Sequence, residues 1–306
     1  MNNFNENDFN EVMGYCNQNP AIYDKIVQGL KEKKLVPFIG TGLPSAIKKD
    51  RKPIFPAWSD LLNRMAGFIQ DQTLSDCIKS LSKIGEYTVA AQLIAQAHGE
   101  TKVEQSLREI FASNKIPDRF TPAQKKEAIF SLPGIFGETL MLTTNFDTMI
   151  ERVYLEKRLS IPTATINDTK KLDLVLNGHG KSLLFKVHGD VDSSDDMVFT
   201  KESYDKKYEE SASLYKALYT IIRTKKLFFI GSSLTVDRTI NMVQEVSRTT
   251  KRDPHLGITS VSLNMKTDER IRELSDIGIE AILYPKGHYN VLNTIFNKLK
   301  TDIKKS

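Results

Sequence analysis

Cysteine is scarce in this chain, and long hydrophobic runs are missing from it. The 306 residues include two cysteines, Cys16 and Cys77, and neither belongs to a C-x-x-C pair. One chain therefore cannot assemble a structural zinc site from thiolates, and two isolated thiols are typical of a reducing compartment. The longest apolar runs have only the length of a strand, and the polar, acidic residues 2–10 do not resemble a signal peptide. We expect a cytoplasmic protein with no membrane span.

A strong charge bias is also missing. The chain has 43 basic and 38 acidic residues, so its formal net charge is +5. The basic runs at residues 31–34, 48–52 and 298–305 are expected to be solvated surface. Because nucleic-acid affinity depends on many phosphate contacts, this small excess predicts no direct nucleic-acid partner.

Helical and strand-like patterns alternate along the chain, which predicts a doubly wound (Rossmann-like) α/β fold with a parallel sheet. Residues 58–132 contain helical stripes without a convincing strand, and we expect an inserted helical subdomain there, within one domain of residues 1–306. The strand candidates are residues 35–39, 139–144, 182–187, 227–230, 257–263 and 281–284.

Four of these strands are followed directly by small or polar residues. In an open parallel sheet, the carboxyl ends of the strands converge on one crevice, so the four segments are expected to build one site. The segments are Gly40-Thr41-Gly42, Thr144-Asn145-Phe146-Asp147, His188-Gly189-Asp190 and Gly231-Ser232-Ser233-Leu234.

Gly40-Thr41-Gly42 allows a sharp turn and a close approach of the backbone to a ligand. If a helix N-terminus follows, it favours an anion such as a pyrophosphate. The third glycine of a dinucleotide fingerprint is replaced by Ser45, and no Lys-Ser/Thr pair follows, which excludes a P-loop. Taken alone, this segment is equally compatible with a structural turn.

Asn145, Asp147 and His188 are the candidate catalytic residues. An asparagine amide can hold a carboxamide or orient a water, and an aspartate can accept a hydrogen bond from a ribose hydroxyl. The alternative for both is helix capping. Histidine titrates near neutrality and can act as a general base, whereas a lone histidine is more often structural.

The last motif offers phosphate or ribose contacts through Gly231, Ser232 and Ser233, with a capping turn as the alternative. Asn264 is expected to end the next strand, where its side chain could reach a ribose.

The order of these motifs resembles the SIR2 (sirtuin-like) family of NAD-consuming enzymes, from Gly40 to Asn264. The resemblance implies that Gly40, Thr41, Gly42 and Thr144 contact the cofactor. It implies the same for Gly231, Ser232, Ser233 and Asn264. It further implies that Asn145 and Asp147 lie in the nicotinamide and ribose pocket, and that His188 is the catalytic histidine.

Residues 190–226 lack the four-cysteine zinc module of the family's protein deacylases, and Pro44 stands where the first motif usually has serine. The combination of Thr143-Thr144-Asn145-Phe146-Asp147, a core without zinc and a helical insert looks more like the SIR2-like effectors of bacterial anti-phage defence. That resemblance implies an NAD+ hydrolase producing nicotinamide and ADP-ribose, with NAD as substrate and no zinc. Because an unrestrained NADase would deplete the NAD of its own host, we expect a homo-oligomer and a gate. The gate could be oligomerisation, a partner protein, a phage component or the loop at residues 46–56. The alternatives are an NAD-dependent deacylase and a non-catalytic module that senses NAD or ADP-ribose.

Overall fold

The structure, a computed structural model, describes residues 6–180, 182–193, 197–235, 238–250 and 252–304. Seven strands form one parallel sheet in the order β5-β6-β4-β1-β7-β8-β9, and two short strands form an antiparallel hairpin. The strands are β1 (Leu35–Ile39), β2 (Lys48–Lys49), β3 (Lys52–Pro53), β4 (Leu140–Thr143), β5 (Thr163–Thr165), β6 (Leu183–Lys186), β7 (Lys226–Ile230), β8 (His255–Val261) and β9 (Ile279–Pro285).

Fourteen α-helices lie within the described residues and cover both faces of this sheet. They are α1 (Glu6–Tyr15), α2 (Asn19–Lys31), α3 (Trp58–Ala66), α4 (Gln72–Ile84), α5 (Tyr87–His98), α6 (Glu100–Phe111), α7 (Leu132–Phe136), α8 (Met149–Glu156), α9 (Thr169–Leu176), α10 (Lys201–Lys207), α11 (Ser213–Thr224), α12 (Arg238–Thr250), α13 (Thr267–Asp276) and α14 (Val291–Asp302). The predicted doubly wound α/β fold is confirmed.

Two hydrophobic cores lie on opposite faces of the sheet. One joins the sheet to α1, α2, α14 and the helices α3–α6, and the other joins it to α11 and α12. The helices α3–α6 therefore share a core with the sheet, and Phe111 of α6 contacts Phe146 with ring centroids 5.6 Å apart. Whether residues 58–132 form a distinct subdomain stays a prediction.

The carboxyl ends of the four central strands lie at one level. Thr143 of β4 is in register with Ile39 of β1 and with Lys186 of β6, and Ile39 is in register with Ile230 of β7. The chain adds strands first on one side of β1 and then on the other, so the topological switch point lies beside β1. This is the place where open α/β sheets bind ligands.

No helix within the described parts of the chain has the length and apolar character needed to cross a membrane.

Candidate functional site

The turn after β4 is held to the sheet by hydrogen bonds from strand-end side chains. The Thr143 hydroxyl donates to the Ile39 carbonyl over 2.9 Å and accepts from the Asn145 backbone N–H over 3.1 Å. The Phe146 carbonyl accepts from the Val191 N–H over 3.0 Å. This turn separates the strand from the following helix, so α8 begins only at Met149.

Asn145 is 2 % exposed, and its carboxamide is only half satisfied. Its Nδ2 donates a long bond of 3.4 Å to the Gly40 carbonyl. Its Oδ1 is buried and has no hydrogen-bond partner among the described residues. An unpaired buried acceptor costs roughly 1–3 kcal/mol, so native structures keep one only for a reason. This oxygen is free to accept a hydrogen bond from a ligand.

Asp147 is 4 % exposed, and its Oδ1 accepts from the Met149 N–H over 2.9 Å. Thr148 is the N-cap of α8, so this bond closes an Asx turn just before the helix, and the capping alternative does not hold for Asp147. Burial raises the pKa of Asp147 to about 6, although the Lys186 ammonium acts to lower it. The carboxyl consequently changes charge close to neutral pH.

Lys186 is fully buried beneath this turn, although nothing in the sequence pattern marks it as a site residue. Its ammonium donates to the carbonyls of Asp147 (2.8 Å) and Phe146 (3.1 Å). It also forms ion pairs with Asp190 (2.9 Å) and Glu151 (3.2 Å), and these carboxylates raise its pKa. A single lysine in an apolar strand gave no sign of these partners, because Glu151 lies 35 residues earlier in the chain.

A narrow cleft opens above the turn, with a cavity volume of about 10 Å³, roughly the space of a single water. Thr41, Thr144, Asn145 and Asp147 from the first two motifs line it. Its remaining walls are apolar and consist of Pro44, Phe55, Pro56, Trp58, Leu61, Phe111 and Phe146. Small-molecule sites have the same kind of lining, apolar walls with a few convergent polar groups, but they are much larger, so this cleft must widen to admit NAD.

The glycines of the first and fourth motifs pack against each other. A Cβ on Gly40 would lie 2.6 Å from the Gly231 carbonyl oxygen, and one on Gly42 would lie 2.8 Å from it. The N–H groups of Gly40 and Gly42 donate to the carbonyls of Ile230 and Gly231, each over 2.9 Å. The structural-turn alternative thus accounts for these glycines, and their contact with a cofactor stays a prediction.

The segment after Gly42 also differs from the expectation. A three-residue 3-10 turn, Pro44–Ala46, follows, and the hairpin β2–β3 comes next. The next α-helix is α3, which begins at Trp58. The first motif is therefore not followed directly by a helix N-terminus that could hold an anion.

The fourth motif forms a turn closed by its own side chains. The Ser232 hydroxyl accepts from the Leu234 N–H over 3.2 Å, and the Ser233 hydroxyl bonds to Thr235 over 2.9 Å. The Thr259 hydroxyl of β8 donates to the carbonyls of Ser232 and Ser233. Neither serine is among the residues that line the cleft.

His188 lies in the interior and does not line the cleft around Asn145. Its Nδ1 shares a hydrogen bond with the Tyr204 hydroxyl (3.2 Å), and its Nε2 shares one with the Tyr208 hydroxyl (3.1 Å). Tyr208 in turn bonds to Thr239 over 2.6 Å. Burial lowers the pKa of His188 to about 3, so the imidazole is neutral at pH 7.

Asn264 was expected to end a strand, and this expectation was wrong. The strand β8 ends at Val261, and Asn264 lies in an exposed turn three residues later. Of the predicted site residues, the structure brings Thr41, Thr144, Asn145 and Asp147 to one cleft. It does not place Gly40, Gly42, His188, Gly231, Ser232, Ser233 or Asn264 on the walls of that cleft.

Comparisons with known proteins support the family resemblance that the motifs predicted. Residues 139–282 match the family described as SIR2-like domain. The NAD(+) hydrolase ThsA of Enterococcus faecium is 31 % identical over 120 residues, which are 38 % of this chain and 24 % of that protein. The NAD(+) hydrolase ThsA of Bacillus cereus (strain MSX-D12) is 25 % identical over 177 residues, which are 53 % of this chain and 36 % of that protein. The similarity thus spans about a quarter to a third of these relatives' length.

A solved structure described as "Structural Basis for the Mechanism and Regulation of Sir2 Enzymes" aligns with 93 % of this chain and 98 % of its own, at 12 % identity and a TM-score of 0.40. The matched residues 139–282 carry three of the four motifs, including Asn145, His188 and Gly231. The match over residues 139–282 supports the resemblance to the SIR2-like family that the order of the motifs predicted, and the proteins similar to this chain include two NAD(+) hydrolases.

Proposed function

We propose that this protein hydrolyses NAD+ at the bond between nicotinamide and ribose. The observation that carries the proposal is the buried, unpaired Oδ1 of Asn145 in a cleft that it shares with Asp147. The two related NAD(+) hydrolases named ThsA support it.

The proposed reaction consumes one water for each NAD+. The bond between the ribose C1′ and the pyridinium nitrogen breaks, and its electron pair neutralises the nicotinamide as it leaves. A water oxygen bonds to C1′ and loses a proton, giving ADP-ribose, neutral nicotinamide and H+. The leaving group needs no general acid, so the site has to orient the nicotinamide, stabilise positive charge at C1′ and admit water.

Asn145 and Asp147 have properties that suit these tasks. The free Oδ1 of Asn145 can accept a hydrogen bond from the carboxamide of nicotinamide or from the attacking water. Asp147 is ionised above a pKa of about 6, and its negative charge favours a transition state that resembles an oxocarbenium ion. In this proposal Thr41 and Thr144 contact the cofactor beside them, as part of the same cleft.

His188 acts in this proposal as a base on a ribose hydroxyl or on the water. Burial lowers its pKa to about 3, so the imidazole is neutral at pH 7 but a weak base, and the role requires substrate contacts that raise this pKa. Both ring nitrogens are engaged by tyrosines in this structure, so the role requires the ring to exchange one tyrosine hydroxyl for substrate. Removing the imidazole is expected to lower NAD cleavage by about a hundredfold.

Because both ring nitrogens of His188 are hydrogen-bonded to tyrosines, a second candidate function is a non-catalytic module that binds NAD or ADP-ribose. Such a module needs the cleft but does not need a base. A deacylase is a third possibility on the same fold, and its NAD consumption would depend on an acyl-lysine peptide.

One assay separates the three functions. Purified protein is incubated with NAD+, with and without an acyl-lysine peptide, and nicotinamide is quantified by chromatography. A hydrolase releases nicotinamide without the peptide, whereas a deacylase releases it only when the peptide is present. A binding module releases no nicotinamide but binds ADP-ribose in calorimetry. His188→Ala and Asn145→Ala test the assignments, because turnover like that of the wild type in both variants would reject them.

The biological setting follows from the proposed activity. A protein that depletes NAD would harm its own cell, so we propose a cytoplasmic effector of anti-phage defence that is restrained until infection. A homo-oligomer and a partner or phage protein are the proposed means of control. Adding extract from infected cells to the NAD assay tests this part, and an unchanged rate would contradict it.

A further inference from the structure

The ammonium of Lys186 is the most fully buried charge beside the cleft. Lys186 ends β6, and the three residues before it in the strand, from Leu183 to Phe185, are buried and apolar. Removing an ammonium from water costs several kcal/mol, and apolar residues of similar volume often replace buried ion pairs without loss of stability. Packing of the hydrophobic core therefore does not explain a lysine at this position, and the explanation has to come from the contacts of its ammonium.

Those contacts converge on the turn that carries the proposed catalytic groups. The ammonium donates to the carbonyls of Phe146 and Asp147, while Thr143 fixes the N–H of Asn145 from the neighbouring strand end. Since Thr143 and Lys186 are in register on β4 and β6, the turn rests on two adjacent strand ends.

We propose that Lys186 is a positioning residue, whose buried ammonium holds the turn at residues 145–147 so that Asn145 and Asp147 face the cleft. Its importance for catalysis rests on the proposed NAD+ hydrolysis, whereas its effect on the turn does not. No part of the role requires contact between Lys186 and substrate.

Lys186 also sets the charge of Asp147. The charged groups that act on this carboxyl are Lys186, which lowers its pKa, and Glu151, which raises it by a smaller amount. Asp190 pairs with Lys186 from the loop after β6. Loss of the ammonium therefore raises the pKa of Asp147 further above its present value of about 6, and less of the carboxyl is ionised at pH 7.

The test uses Lys186→Met, with Lys186→Met/Glu151→Gln as a second variant that leaves one fewer uncompensated carboxylate. Lys186→Arg keeps the charge and serves as the conservative rescue. Lys298→Met is the matched control, because Lys298 also pairs with an acid, Asp302, but lies on α14. Two readouts are taken: the pH dependence of NAD cleavage, and the NMR titration of the Asp147 carboxyl carbon, assigned by its loss in Asp147→Asn.

In Lys186→Met the Asp147 titration midpoint is expected to rise by about one pH unit, and in the double variant by less, because Glu151 no longer raises it. In both variants kcat is expected to fall at least tenfold with KM within threefold. Lys186→Arg is expected to return the midpoint towards that of the wild type, and Lys298→Met to leave both readouts unchanged. If Lys186 is only structural, stability falls while midpoint and kcat per folded molecule stay unchanged, which would overturn the proposal. If the wild type cleaves no NAD, the proposed function fails, and the NMR midpoint alone still decides the role of Lys186.

Discussion

Two buried asparagines with opposite hydrogen-bonding states allow a sharp test of the site. Asn19 is fully buried and satisfied: its Nδ2 donates to the carbonyls of Val12 (2.7 Å) and Leu283 (2.9 Å), and its Oδ1 accepts from the Leu283 N–H (2.9 Å). Asn145 has one long bond and an unpaired oxygen. Truncation to alanine removes the same atoms at both positions, so the difference between the variants reports on the hydrogen bonds.

The expected effects on stability differ by several kcal/mol. Asn19→Ala removes three hydrogen bonds worth about 1 kcal/mol each, so the free energy of unfolding falls by about 3 kcal/mol. Asn145→Ala loses one weak bond but also removes an unpaired acceptor. Its free energy of unfolding is expected to stay within about 1 kcal/mol of the wild type.

For activity the expected order is reversed, so that Asn145→Ala is the more damaging variant. Loss of a well-placed polar group in a transition state costs roughly 3 kcal/mol, so Asn145→Ala should lose about a hundredfold in kcat. Asn19→Ala should keep the wild-type rate per folded molecule. The assays are urea unfolding followed by circular dichroism and nicotinamide release at matched folded concentrations. The reasoning is refuted if Asn145→Ala destabilises the protein as much as Asn19→Ala does, or if it keeps its NAD cleavage.

Four further predictions concern Asp147, His188, Gly231 and Gly14. Because the pKa of Asp147 is about 6, kcat/KM is expected to rise with pH through about 6, and Asp147→Asn should abolish this step in a pH-rate profile. The pKa of His188 is about 3 in the folded protein and ordinarily 6.5. The contribution of its neutral imidazole to the free energy of unfolding is therefore full above pH 6.5, and it falls by up to ~1.4 kcal/mol per pH unit below that pH. Urea unfolding at pH 6 and pH 5 should show a smaller fall in His188→Gln, and an equal fall would contradict the burial of a neutral imidazole. Gly231 has a φ of +68° and an added Cβ would lie 2.7 Å from the Leu43 nitrogen, so Gly231→Ala should lower the free energy of unfolding by at least about 2 kcal/mol. The helical Gly14 has open space around it, so Gly14→Ala should stabilise the protein by roughly 0.5–1 kcal/mol in the same assay.

The central strands and the level at which they end could be predicted from the sequence. The apolar runs that form β1, β4, β6 and β7 are each followed at once by glycine or polar residues, so their bounds were predicted to within one residue. Weaker patterns were missed. The edge strand β5 has only three residues, Thr163–Thr165, and α1 is mostly polar although Phe9, Val12 and Met13 share its buried face.

The site was predictable in part, because its polar groups lie at strand ends. The position of Asn145 and Asp147 follows from the register of β4, whereas the burial of His188 depends on Tyr204 and Tyr208, which come from α10 and the residue after it. No local pattern predicts that tyrosines will enclose an imidazole 16 and 20 residues earlier in the chain. The role of Lys186 could not be predicted for the same reason, because its partner Glu151 lies 35 residues away in the chain.

Chromatographic quantification of the products from NAD+ tests the central claim most directly. Purified wild-type protein is expected to release nicotinamide and ADP-ribose in equal amounts without any acyl-lysine peptide, and Asn145→Ala is expected to release about a hundredfold less at the same folded concentration. Equal release by the two proteins, or intact NAD+ after prolonged incubation with the folded wild type, would contradict the account.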